Sequence, residues 1–295
     1  MHHRTALLAC VFALASNACM IHQDKQPAQR PASETDGPAT NTLQGKSVPT
    51  SKARPTGEDP ISRSRYFSPP FALAVAEDAI VRIVGPEATC TGTLIEDDLI
   101  LTAHHCVVER TAQGKFTSEA LAPSKLRIEL GGDFLAWGHV GVKYVVAPPC
   151  GESGGAGDVA VLVLTRKLVG MSTMTARLDT APKIGETIDT VGFGRCASSD
   201  GIRRHTREGG PIRASTQEAV VVNASICPGD SGGPAIIRGS KEIVGVVSMS
   251  AMDGDERTKA PSVMARIDAF RSVFANARLM ADGLSPAELP PLECK

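Results

Sequence analysis

The chain has 295 residues, room for one large or two small domains at roughly 150 residues each. Its 31 basic and 32 acidic side chains leave a net charge of −1, which gives no electrostatic footing for nucleic acid or an anionic membrane. Apolar residues at 42% can fill a core, but no apolar run approaches the roughly 18 residues of a membrane-spanning helix, which excludes a multi-pass membrane protein.

Residues 1–18 read as a secretory signal peptide. Met1-His2-His3-Arg4 is a positive start, residues 5–15 are an apolar stretch of the right length, and Ser16-Asn17-Ala18 offers small residues for cleavage. Cleavage after Ala18 leaves Cys19 first. Two routes then stay open: simple export to the periplasm or medium, or lipidation of Cys19 and a membrane tether as a cell-surface lipoprotein. Ser16 stands where lipoprotein signals usually carry Leu.

Residues 19–71 read as a disordered linker or pro-segment. Pro27, Pro31, Pro38, Pro49, Pro55 and Pro60 are scattered among Ser, Thr, Gln and charged residues, too polar to offset the entropy of ordering. From residue 72 the texture changes, and residues 72–281 read as the folded domain. Strands are predicted over 79–84, 92–95, 99–102, 126–130, 138–146 and 158–164. Further strands follow over 187–193, 218–222, 234–237, 243–249 and 262–266. Val140, Val142, Tyr144 and Val146 alternate with His139, Gly141, Lys143 and Val145, the period-2 pattern of a strand with one buried face. Eleven short strands with no interleaved helix argue for an all-β barrel or sandwich. Ile267, Phe270, Phe274 and Ala277 recur at helical spacing, so a helix closes the domain. Residues 282–295 read as a Pro-rich tail.

Three motifs carry chemistry. Gly229-Asp230-Ser231-Gly232-Gly233-Pro234 presents a serine in a tight glycine turn, where its hydroxyl can meet a base and its backbone amides an oxyanion. Leu101-Thr102-Ala103-His104-His105-Cys106, after Cys90-Thr91-Gly92-Thr93-Leu94-Ile95, supplies a candidate base. Asp158, at the head of the apolar run Val159-Ala160-Val161-Leu162-Val163-Leu164, supplies an orienting acid. The order His, Asp, Ser excludes an α/β-hydrolase, which needs its acid and then its histidine after the serine. All seven histidines precede Ser231. A subtilisin order fails as well, because it needs an acid well upstream of the histidine in an α/β chain.

These residues resemble the chymotrypsin/trypsin-like serine peptidases over about residues 72–280. The resemblance implies two six-stranded antiparallel β-barrels with the catalytic residues at their junction and a C-terminal helix behind. It puts the base at His105, with His104 a bystander, the acid at Asp158 and the nucleophile at Ser231. It implies an oxyanion hole from the amides of Gly229 and Ser231, protein or peptide substrates, an acyl-enzyme intermediate, and no metal or organic cofactor. The alternative on the same fold is a catalytically silent binding or regulatory surface protein.

The same resemblance implies a Cys90–Cys106 disulfide. Cys227 usually pairs with a later cysteine, but residues 251–260 contain none. The remaining pairs then become Cys196–Cys227 and Cys150–Cys294, in keeping with an oxidising compartment. The resemblance also implies that Ser225 stands at the base of the specificity pocket, with Ser250 and Ser262 on its walls, which argues against Arg or Lys before the scissile bond. In the family, cleavage creates an Ile or Val terminus whose ammonium pairs with the acid before the nucleophile. Here the corresponding stretch, Arg63-Ser64-Arg65-Tyr66-Phe67, has neither. Asp230 is therefore expected to take another donor or an atypical Tyr66 terminus. The basic segment 201–211 is expected to be an exposed loop.

Overall fold

The computed structural model describes residues 75–132, 135–149, 155–197, 201–251 and 258–292. The signal peptide, Cys19, the linker up to residue 71, the Tyr66 terminus, Cys150 and Cys294 lie outside the described residues.

The strands are, in chain order, β1 (Ile80–Val84), β2 (Thr89–Glu96), β3 (Leu99–Thr102), β4 (Val108–Arg110), β5 (Phe116–Ala120), β6 (Arg127–Leu130), β7 (Gly138–Val146) and β8 (Ala160–Leu164). They continue with β9 (Thr175–Ala176), β10 (Thr187–Gly192), β11 (His205–Pro211), β12 (Ala214–Ser215), β13 (Ala219–Ala224), β14 (Pro234–Ile237), β15 (Glu242–Ser250) and β16 (Ala260–Arg266). One α-helix, α1 (Arg271–Ala281), comes last.

Six strands close into an antiparallel barrel in the order β1-β2-β3-β8-β7-β6. Closure leaves no free edge to pair with another chain. Its interior is aliphatic: Ile80, Ile83, Leu94, Ile100, Leu101, Ile128 and Leu162 are all fully buried. Each such side chain contributes roughly 1.5–3 kcal/mol on burial.

The second sheet runs β11-β10-β14-β15-β16-β13-β12, with β9 added parallel to the start of β15. It curls until β11 lies against β13, yet no ladder joins those two strands. It is thus barrel-like rather than closed, with β9 and β12 beyond the six strands expected. Ile188, Val222, Val244 and Met264 fill it.

Helix α1 leaves the second sheet and packs back on β3, β7 and β8 of the first barrel through Val273, Phe274, Ala277 and Met280. Arg278 fixes this strap by pairing with Asp98, Glu96 and Asp282. Hydrogen bonding from Arg278 outweighs burial and holds the Asp98 carboxyl below its ordinary range. The tail turns back rather than trailing away: Asn276 donates to the Pro290 carbonyl at 2.9 Å, and Leu289 and Leu292 pack on the core.

The segment 201–211 departs from the expected loop, because its second half is β11. Its inward positions are Arg207 and Gly209, both buried, while Thr206 and Glu208 face out. The alternation is that of a strand, with a buried cation where apolar residues usually stand. Among the described residues no helix is long and apolar enough to cross a membrane.

Candidate active site

The three candidate residues come from three strand ends. His105 sits in a single 3-10 turn, His104–Cys106, just past β3. Asp158 immediately precedes Val159 and β8, and Ser231 lies in the turn leading into β14. Pairing of β3 with β8 brings the first two together, since Thr102 lies opposite Ala160.

Asp158 is fully buried and grips the histidine twice. The His105 backbone amide donates to Oδ1 at 2.9 Å, and Nδ1 lies 2.7 Å from Oδ2. The Ser248 hydroxyl donates to Oδ2 at 2.5 Å. Burial raises the cost of charge on this carboxyl, but the hydrogen bonds from His105 and Ser248 outweigh it and hold the group below its ordinary range. An ionised acid here keeps the Nδ1 proton on the histidine and leaves Nε2 as the basic atom. Phe116 packs against the other side of the ring, with centroids 5.2 Å apart. His105 Nε2 lies 3.8 Å from Cys106 Sγ and makes no hydrogen bond to Ser231, although both residues line the same two clefts.

Neighbouring His104 is buried, its Nδ1 has no partner, and it makes no hydrogen bond to Asp158. Burial lowers its pKa from the ordinary 6.5, against the pull of Asp158.

The nucleophile turn is held from several directions. Gly229 and Gly232 have φ of +103° and +79°, and a Cβ at Gly232 would overlap the Thr102 hydroxyl and the Thr91 carbonyl. A trans peptide points its N–H opposite to its C=O. The Pro228 carbonyl accepts the Arg195 amide at 2.9 Å, which turns the Gly229 N–H the other way. The Asp230 carbonyl accepts the Gly233 amide at 2.9 Å, which does the same for Ser231 N–H. Neither N–H has a protein acceptor among the described residues.

Beneath them the Asp230 side chain is 1% exposed and meets Arg207, itself 4% exposed, at 2.9 Å from Nε. The amides of Gly194 and Cys227 also donate to it, at 2.7 and 3.0 Å. Burial pushes this carboxyl up, and Arg207 with the two amides pulls it back. The Arg207 guanidinium also donates to the Gly194 carbonyl at 2.6 Å. The donor expected for Asp230 is therefore a side chain of β11.

Thr91 was legible only as part of the cysteine box, yet it joins the two halves of the site. Its amide donates to the Ser231 carbonyl at 2.8 Å, and its hydroxyl donates to the Gly229 carbonyl at 2.7 Å and accepts from the Phe193 amide at 2.9 Å. Two disulfides brace the surroundings: Cys90–Cys106 at the histidine turn and Cys196–Cys227 at the serine turn. Cys90, His105 and Cys106 lie close together, but both sulfurs are committed to the disulfide, so this group cannot ligate a metal.

Two clefts flank Ser231. One, of about 370 Å³, runs along Ile226–Pro228 and Val247–Ser250. Of the three pocket serines, Ser250 lines it. Ser225 and Ser262 are buried beside wall residues Ile226 and Ser250, and the Ser250 and Ser262 hydroxyls are bonded to each other at 2.8 Å. The other cleft, of about 500 Å³, lies on the Cys90 side and is flanked by Phe116 and Phe193.

Residues 75–274 match the family model for trypsin. The chain belongs to the trypsin family. It is a serine-type endopeptidase, a hydrolase, and its two described disulfides suit an oxidising compartment. Trypsin alpha-4 of Lucilia cuprina is 27% identical over 214 residues, covering 64% of this chain and 77% of that protein. A vitellin-degrading protease of Bombyx mori is 26% identical over 211 residues, covering 62% and 74%. Among solved structures, a Glu endopeptidase in complex with MPD aligns with a TM-score of 0.56 at 20% identity, covering 70% of this trypsin-family chain and 93% of its own. Neuropsin, a serine protease of the mouse brain, aligns with a TM-score of 0.51 at 17% identity, covering 70% and 95%. At these identities the two structures speak to the fold alone.

Proposed function

We propose that the trypsin-family domain cleaves peptide bonds with Ser231 as nucleophile, His105 as general base and acid, and Asp158 as the orienting acid. The observation that carries this is the double grip of Asp158 on His105, beside a serine whose two flanking amides point at no protein acceptor. As substrate enters, the Ser231 hydroxyl meets His105 Nε2; catalytic hydrogen bonds commonly tighten only at this stage. His105 takes the serine proton as the oxygen attacks the carbonyl, and the imidazolium is stabilised by Asp158. The Gly229 and Ser231 amides stabilise the oxyanion. His105 protonates the leaving amine, and water then releases the acyl-enzyme by the same route in reverse.

Arg207 supports a site that needs no new N-terminus, because the cation that holds Asp230 belongs to the folded chain itself. The signal peptide, the linker and export, with Cys19 lipidated or free, are part of the same proposal.

For the residue before the cut, the cleft beside Ser250 carries one carboxylate among the described residues, Asp158, already engaged by His105 and Ser248. Nothing there repays the desolvation of a guanidinium or ammonium. Small or medium uncharged side chains suit it. Asp253, Asp255 and Glu256 lie outside the described residues.

Turnover of quenched peptides by the mature protein tests the mechanism. Ser231→Ala and His105→Ala should each abolish it, and the double variant should be no worse, because the members act as a unit. Full turnover by Ser231→Ala would overturn the assignment.

A further inference from the structure

The cleft on the Cys90 side has an uneven charge. Arg82, Arg110 and Arg195 line it, and among the described residues no carboxylate does. In a chain of net charge −1 this is a local choice, not a reflection of composition. Arg82 shares Glu129 with Arg127, so two cations there answer to one anion. Arg110 ends β4 and is held over the Phe116 ring, 4.6 Å from its centroid. Phe116 in turn packs on His105, so this guanidinium is built into the wall of the catalytic histidine. No acid lies within ion-pair distance of Arg110 among the described residues. Arg195 is anchored through its own amide to the Pro228 carbonyl, beside the Gly229 N–H.

The cleft along Ser248–Ser250 receives the residue before the cut, so this one, on the opposite side of Ser231, receives the residues after the cut. We propose that it selects substrates with Asp or Glu in the first two positions after the scissile bond, read chiefly by Arg110. The inference rests on the endopeptidase reading above. A planar guanidinium can take a carboxylate through two parallel hydrogen bonds, and a walled cleft weakens screening by water. Lysine at the same positions meets the like charge of Arg110.

Three quenched peptides that differ only at those two positions, carrying Glu, Gln or Lys, test it on the full mature protein. The expected order of kcat/KM is Glu over Gln over Lys, with Glu ahead of Gln by about ten-fold at low salt and the gap shrinking as salt screens it. Arg110→Gln should collapse the Glu-to-Gln ratio, and Arg110→Glu should move the preference towards Lys. Each ratio is internal to one protein sample, so a change in folded fraction does not move it. Equal rates on all three peptides in the unaltered protein, or a ratio unchanged by salt and by both substitutions, would overturn the inference and leave the endopeptidase reading intact. Cleavage of none of the three would overturn that reading and the inference with it.

Discussion

Replacing Arg207 with Met removes the guanidinium and keeps most of the stem. The carboxyl it leaves behind is 1% exposed and keeps only the Gly194 and Cys227 amides. Breaking a buried pair by deleting one partner costs about 3–5 kcal/mol, because the remaining charge is neither solvated nor matched. The deficit has a pH signature. Burial already pushes the Asp230 carboxyl above its ordinary 3.8, and loss of the cation pushes it further. A carboxyl raised in the folded state destabilises above the unfolded value and ceases to do so once protonated, so the deficit should be largest near neutral pH and shrink on acidification. Activity should fall as well, since Asp230 sits between the two oxyanion amides; loss of one such donor costs about 10²–10³ in kcat. Denaturant unfolding of Arg207→Met, Asp230→Asn and the double variant, at neutral and acidic pH, measures the coupling. Arg207→Met with unaltered stability and full turnover would refute the role of Arg207 as the internal counterion.

Other consequences are equally direct. His104 has a pKa lowered by burial, so its neutral form supports the fold fully above the unfolded value of 6.5, and that support is lost as pH falls through and below 6.5. His104→Phe should flatten the stability-versus-pH curve in that window while changing turnover little. Gly232→Ala should cripple turnover in a folded protein, since its Cβ would push on Thr91 and Thr102 at the serine turn; normal rates would remove the close-packing argument. N-terminal sequencing of active protein should find no Ile or Val start between residues 60 and 84. A peptide panel varied before the cut should disfavour Arg and Lys, and a strong preference for either would refute the pocket reading while leaving Ser231 untouched.

Most of the fold was legible because it rests on apolar alternation. Strands such as β7 and β10 declare themselves by period-2 burial, and α1 by its Phe274 and Ala277 stripe. The hairpin β4–β5 was not, because β5 is largely exposed and its residues, Phe116 to Ala120, carry no buried face. Its function lies in the one aromatic that reaches His105. β11 was hidden for a different reason: its buried positions hold Arg207 and Gly209, so hydropathy reads a solvated basic loop where the chain buries a cation. The candidate triad was legible from three motifs, their order and the family resemblance that separates His105 from His104. The links that set its geometry were not, because a threonine such as Thr91 acts through backbone carbonyls that no motif displays.

The central claim is that Ser231 is an activated nucleophile. Intact-mass measurement of the mature protein after treatment with a fluorophosphonate tests it most directly. The account predicts a single adduct, mapped to Ser231, absent from Ser231→Ala and greatly slowed in His105→Ala. No adduct on folded protein, or an adduct that persists in Ser231→Ala, would contradict it.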